Sequence, residues 1–217
     1  MQFYRENWFN VGGVLFVALT FVMALAANSL DHIQVILIYS FMALLVHQYE
    51  EYAAPGGFPS IFNIALSGEK AVPERYPLNT NQVLVTNVYI AYPFYLAAIV
   101  FPNLIWLGVA QVVFGTLQVI IHGIVINRRL GTFYNPGLAS AVFLHVPICV
   151  YYIWYVSSHG LAAPSDYVIG VIAALVAALV AIIIPIRLLS SKTSPYPFPE
   201  RMFYGYAKEK LVRMRNS

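Results

Sequence analysis

Residues 33–52 read IQVILIYSFMALLVHQYEEY, a hydrophobic run that ends in a histidine and two adjacent glutamates. The hydrocarbon core of a bilayer, about 30 Å thick, is crossed by about 20 apolar residues of helix. This stretch meets that length and predicts a membrane-spanning helix. Ionisable groups at such a place are costly, so they face a polar cavity, pair with one another or hold an ion. The closing hexapeptide, His47-Gln48-Tyr49-Glu50-Glu51-Tyr52, is therefore where chemistry is expected.

Outward from this run, comparable apolar stretches occupy 8–28, 83–101, 104–126, 138–156 and 167–189. Of the 217 residues, 60% are hydrophobic and only 10% charged. Ordinary soluble domains carry about 25% charged residues, and the mean hydropathy of +0.71 agrees with the deficit. The reading is an all-α, six-helix transmembrane bundle over 1–193 with no soluble domain, followed by a basic tail over 194–217. Arg5 before an apolar run and Ala24-Leu25-Ala26 after it resemble a signal peptide. The run is long enough to span, so a retained first helix is expected. Cys149 is the single cysteine, which excludes an intrachain disulfide and any cysteine-rich metal site.

The basic residues test the helix count. Arg5 precedes the first run, Lys70 and Arg75 lie between the second and third, and Arg128 and Arg129 between the fourth and fifth. Arg187, Lys192, Arg201, Lys208, Lys210, Arg213 and Arg215 end the sixth run or follow it. With six spans all twelve fall on one side; five or seven would scatter them. The positive-inside rule puts that side, and both termini, in the cytoplasm. Trp8 near that boundary, with Trp106 and Trp154 near the other, suit interfacial aromatic belts. The net charge of +3 comes largely from the tail and speaks to membrane orientation, not to nucleic acid.

With lipid-compatible residues set aside, the polar remainder clusters in the cytoplasmic half. His47, Glu50 and Glu51 lie on the second run, Asn87 on the third, and Gln118 and His122 on the fourth, with Gln111 deeper. Asn127, Tyr134 and Asn135 follow in the next connection, and His145 lies about 12 Å into the fifth run at 1.5 Å per residue. Residues i, i+3 and i+4 share a helix face, so His47 can act with either Glu50 or Glu51. His47, Glu50, Glu51, His122 and His145 are ligand types for a divalent metal, zinc first, with iron or manganese as alternatives. Glu50, Asn87 and Tyr134 are candidates for direct catalytic roles, Glu50 as a base toward metal-bound water. Five histidines, with His32 and His159 on the far side, are too few for a membrane di-iron desaturase. Tyr134-Asn135-Pro136-Gly137 reads first as a turn and helix start. Residues 58–66 are apolar but too short to span, and Pro93 and Pro147 predict kinks.

His47-Gln48-Tyr49-Glu50-Glu51 late in an early span, then Asn87, His122, Asn127 and Tyr134-Asn135-Pro136-Gly137 in order, resembles bacterial integral membrane proteins named for an HXXEE signature. The resemblance runs from the first to the fifth helix; the proline-rich basic tail is particular to this sequence. It implies a helical membrane protein with an enzymatic role, groups His47, Glu50, Glu51 and His122, and supplies no substrate.

Three functions follow as expectations. The first is a metal-dependent membrane enzyme acting on a lipid or amphiphile at the cytoplasmic leaflet, hydrolytic ahead of oxidative because the ligands suit one metal. The second is a proton-coupled transporter, which lacks an evident internal repeat here. The third is a structural membrane protein with a His/Glu cluster as interhelical glue. Membrane lipids are the expected partners, nucleic acid is not, and a homo-oligomer stays open.

Overall fold

The computed structural model describes residues 1–216. Six helices are long and apolar enough to cross a membrane: α1 (Gln2–Ser29), α2 (His32–Tyr52), α4 (Thr80–Val100), α5 (Ile105–Leu130), α6 (Leu138–Ser158) and α7 (Pro164–Leu189). A short helix α3 spans 58–66, and α8 (Glu200–Phe203) and α9 (Lys208–Asn216) follow the last span. The six-helix, all-α reading holds, and no strand occurs among the described residues. The helices outrun the apolar stretches: α1 begins at Gln2 and α5 reaches Leu130. Hydropathy marks only the part in hydrocarbon, whereas the helical hydrogen-bond ladder continues through polar ends such as Arg5-Glu6-Asn7 and Asn127-Arg128-Arg129.

Local chemistry sets the boundaries. The Asp31 N–H donates to Gln34 Oε1 (3.3 Å) at the start of α2, and Ala163 N–H donates to Asp166 Oδ2 (2.8 Å) at the start of α7. At the start of α4 the Asn79 side chain accepts from Gln82 N–H (3.0 Å). Helix α5 ends where Gly131 takes φ +58°. Prolines leave a mark in three spans. Pro93, Pro147 and Pro185 each follow a wide, π-type turn, at Val85–Ile90, Ala141–His145 and Leu179–Ile183. A proline ring clashes with the carbonyl four residues earlier and removes a donor, so the preceding turn opens. A fourth such stretch, Val119–Ile126, has no proline and contains His122.

Helix α2 is the central element: 61% of its apolar window is buried, against 17% for α1 and for α7. Around it the core falls into three layers along the spans. Leu37, Ala98, Val109 and Tyr152 form the layer far from the basic end, Phe41, Tyr95 and Phe114 the middle one. The layer at the basic end joins Trp8 and Tyr52 to Ile61 of α3, Ile126 and the tail residues Phe198, Met202 and Leu211. Residues 194–216 thus fold back onto the bundle. Their strands of backbone dock directly, with Thr80 N–H on Tyr196 O (3.0 Å), Phe198 N–H on Glu74 O (2.7 Å) and Tyr206 N–H on Gly56 O (3.0 Å). Trp8 is buried in this layer rather than set in a lipid-facing belt, because Phe9, Tyr52 and the tail enclose it. An Arg201–Glu6 ion pair (2.9 Å) and Arg5 stacked over Tyr196 hold the first turn of α1 to the tail at this same end.

Candidate metal centre

His47, Glu51 and His122 converge at the basic half of the bundle, and all three are buried. Glu51 Oε1 lies 3.3 Å from His122 Nε2 and 3.7 Å from His47 Nε2. One ligand atom from each residue lies within 4.8 Å of the other two. Tetrahedral zinc with bonds of about 2.0–2.1 Å sets its ligands about 3.3 Å apart, so the spacing fits a single ion.

The far side of each imidazole fixes its tautomer. His47 Nδ1 lies 3.0 Å from the Gly137 carbonyl and 3.0 Å from Ser140 Oγ. A carbonyl only accepts, so Nδ1 carries a proton, and in the neutral ring Nε2 presents a lone pair. His122 Nδ1 lies 2.7 Å from Asn135 Oδ1. The Asn135 amide is oriented by its own donors, Nδ2 to the His122 carbonyl and to Asn127 Oδ1, both at 2.7 Å. In the neutral ring His122 Nε2 is then the lone-pair nitrogen, buried and without a hydrogen-bond partner among the described residues. Hydrogen bonds of this kind, from the ring nitrogen opposite the ligand nitrogen, orient and polarise metal-binding histidines. Gly137 makes room for the arrangement: at φ +102° it adopts a conformation that suits glycine, and a Cβ there would collide with the His122 ring.

Glu50 is turned away from this group. Its Oε1 accepts from Tyr134 Oη (2.9 Å) and Ala139 N–H (3.1 Å), and its Oε2 from Ser140 N–H (2.9 Å) and the Ser140 hydroxyl. The carboxylate thus sits on the N-terminus of α6, where free amides and the helix dipole favour an anion. Burial and the bond to Glu50 raise the Tyr134 hydroxyl above the ordinary phenol range, which keeps it a neutral donor. Ser140 joins the two layers, accepting from His47 and donating to Glu50.

His145 lies beside the group without joining it. Its ring centroid is 5.8 Å from that of His47, in a space that a Cβ on Gly115 would fill. Asn87 binds the neighbouring Gln48, accepting from Gln48 Nε2 at 3.3 Å, and Gln48 in turn accepts from Tyr92 Oη (3.0 Å). Phe58 of α3 covers His122, with ring centroids 5.6 Å apart. Of the residues singled out in the sequence, three converge, two form the adjoining Glu50–Tyr134 layer, and His145 and Asn87 flank them. Asn135 and Ser140 carry supporting roles that the sequence did not assign.

A cavity of about 220 Å³ adjoins the site, lined at one side by His47, Glu51 and Asn87 and elsewhere mainly by apolar side chains of α3, α4, α5 and α7. No curated protein and no solved structure matches the chain. The family model described as "Protein of unknown function with HXXEE motif" matches residues 38–152, a region holding His47, Glu50, Glu51, His122, Asn135 and Ser140, and the chain belongs to that family.

Proposed function

We propose that the protein is a metal-dependent integral membrane enzyme that hydrolyses a lipid or amphiphilic substrate at the cytoplasmic leaflet. One observation carries this reading. Two imidazole Nε2 atoms, lone-pair acceptors when the rings are neutral, and a carboxylate face one another in a buried space. A buried acceptor without a donor, as His122 Nε2 is, is costly, and a divalent cation would satisfy it together with His47 and Glu51. Two histidines and a glutamate are a known catalytic zinc set that leaves a fourth position open; iron and manganese are the alternatives. When bound, such an ion supplies Lewis acidity and brings the pKa of a coordinated water toward about 7.

The chain's own residues do the rest. His47, Glu51 and His122 bind, while Gly137, Ser140 and Asn135 fix the two rings. Glu50 is a positioning residue that anchors α6 through Ser140, and Tyr134 holds Glu50. Phe58 and the apolar walls restrict water. One three-ligand set favours hydrolysis over a two-metal oxidation. The basic end of the bundle belongs in the cytoplasm by the positive-inside rule, and the site lies in that half.

The test is release of free acid from ester lipids by the purified protein in vesicles. Hydrolysis that stops on chelation, returns with zinc and is absent in His122→Ala is expected. Chelator-insensitive hydrolysis contradicts the reading. Proton flux abolished by Glu51→Gln, without hydrolysis, would indicate the carrier instead.

A further inference from the structure

The cavity at His47 and Glu51 does not end at the site. It shares Ala91, Phe114 and Ala181 with a second cleft of about 300 Å³, bounded by Phe94, Trp106 and Ala173. The two clefts adjoin between α4, α5 and α7 and are taken together as one passage. From Ile186 to Ala173, thirteen residues of α7, the passage covers about 20 Å at 1.5 Å per residue. It runs from the basic end toward the far leaflet, parallel to the way an acyl chain hangs from its headgroup.

Its walls change character along that length. Near the site they include Gln82, Thr86, Asn87 and Gln118; the second cleft is lined by apolar residues alone. The passage also opens sideways. Beyond it α5 and α7 are in backbone contact, for a Cβ on Gly170 would fall 2.6 Å from Val109 Cβ and 2.8 Å from the Trp106 carbonyl. Nearer the basic end both helices take wide turns, at Val119–Ile126 and Leu179–Ile183. There the lining residues Ile121, Val125, Val180 and Ile183 are exposed at the lipid-facing surface. The first chamber is smaller than the roughly 300–1,000 Å³ that encloses a drug-sized ligand whole. It suits one hydrocarbon chain and no more.

We infer that the substrate is an ester lipid docked by a single acyl chain, which enters between α5 and α7 and lies along this passage with its carbonyl group at His47 and Glu51. The inference rests on the hydrolytic reading above and names its substrate class. Hydrolysis adds water across the ester: the carbonyl carbon gains the water oxygen, its bond to the alkoxy oxygen breaks, and a proton goes to the departing alcohol. A fatty acid and an alcohol result, with no redox change.

Photolabelling tests the passage without relying on turnover. Two palmitic acid probes, one with a diazirine near the carboxyl and one at the terminal carbon, are bound to the zinc-loaded protein in vesicles. The first should label around Phe62, Gln118 and Ile182, the second around Phe94, Trp106 and Ala173. Ala181→Trp, at the shared waist, should lose the distal label and keep its metal; Val180→Trp is the milder companion should that variant fail to fold. Label from both probes spread evenly over the lipid-facing helices, or distal label unchanged in a folded waist variant, overturns the inference. Metal content, measured separately, divides the outcomes. An ordered label in a protein that binds no metal keeps the chain site and discards the hydrolytic reading. Bound metal with an unlabelled passage does the reverse.

Discussion

Asn135 is the residue on which the protonation of the site turns. Its Oδ1 accepts from His122 Nδ1–H, which in the neutral ring leaves Nε2 bare toward Glu51. Removing that acceptor frees the ring to rotate or change tautomer. Asn135→Ala is expected to fold and to bind zinc roughly 10–100-fold more weakly, the usual effect of losing such an outer hydrogen bond; competition with a chromophoric chelator measures it. Glu50 predicts a different phenotype. Glu50→Ala strips the partners from two α6 amides, the Ser140 hydroxyl and Tyr134 Oη. A loss of about 2–3 kcal/mol in unfolding free energy is expected, read from denaturant titration in detergent. An unchanged midpoint would remove its anchoring role. The sequence placed both glutamates within reach of His47, at i+3 and i+4. It could not say which carboxylate meets His122 and which meets α6, because helix rotation is set by packing against α5 and α6. The supporting groups were illegible for the same reason. Ser140 and the Gly137 carbonyl lie 93 and 90 positions from His47, and nothing local in α6 announces that contact.

At the scale of elements, the spans were legible because hydrocarbon imposes a length on them, and Pro93 and Pro147 marked where the preceding turns widen. The wide turn around His122 was not, since no proline or unusual composition marks Val119–Ile126. Nor was the docking of the tail. Its prolines, aromatics and basic residues suit a membrane surface as well as a protein one, and only the buried Phe198, Met202 and Leu211 decide between them. One polar clamp secures the start of this segment. Glu69 binds Lys192 (2.9 Å) and accepts from Ala71 (2.9 Å) and Val72 (3.2 Å) amides. Lys192 above all, helped by those amides, holds the Glu69 carboxyl below the ordinary carboxylate range. A depressed folded-state pKa means the folded protein binds fewer protons than the unfolded one. The stabilisation is complete above the unfolded value of about 4.3 and is lost as pH falls through the folded value. The stability difference between wild type and Glu69→Gln should therefore shrink on acidification from neutral pH to about pH 3. A difference independent of pH would show that the clamp does not act through charge.

For the whole molecule, the six helices gather all twelve basic residues at one end, and the site lies in that half. The six-span architecture was legible because charge and hydropathy constrain it twice over. The proposed passage was not, because side chains of α4, α5 and α7 far apart in the chain line it and no motif marks them. Orientation has a direct check. In a Cys149→Ala background, Ser67→Cys should react with a membrane-impermeant maleimide only when the cytoplasmic face is open. Ser165→Cys, at the opposite end, should react in intact cells. The reverse pattern would place the site in the other leaflet and separate it from the substrate pool assigned to it.

The most direct measurement is the metal content of the purified protein, by plasma mass spectrometry, for wild type, His47→Ala and His122→Ala. About one divalent ion per chain is expected in wild type, zinc first, and its loss from both folded variants. Wild-type protein that binds no divalent ion after loading, or variants that retain it, would contradict the metal centre and reduce His47, Glu51 and His122 to a buried hydrogen-bonded contact between helices.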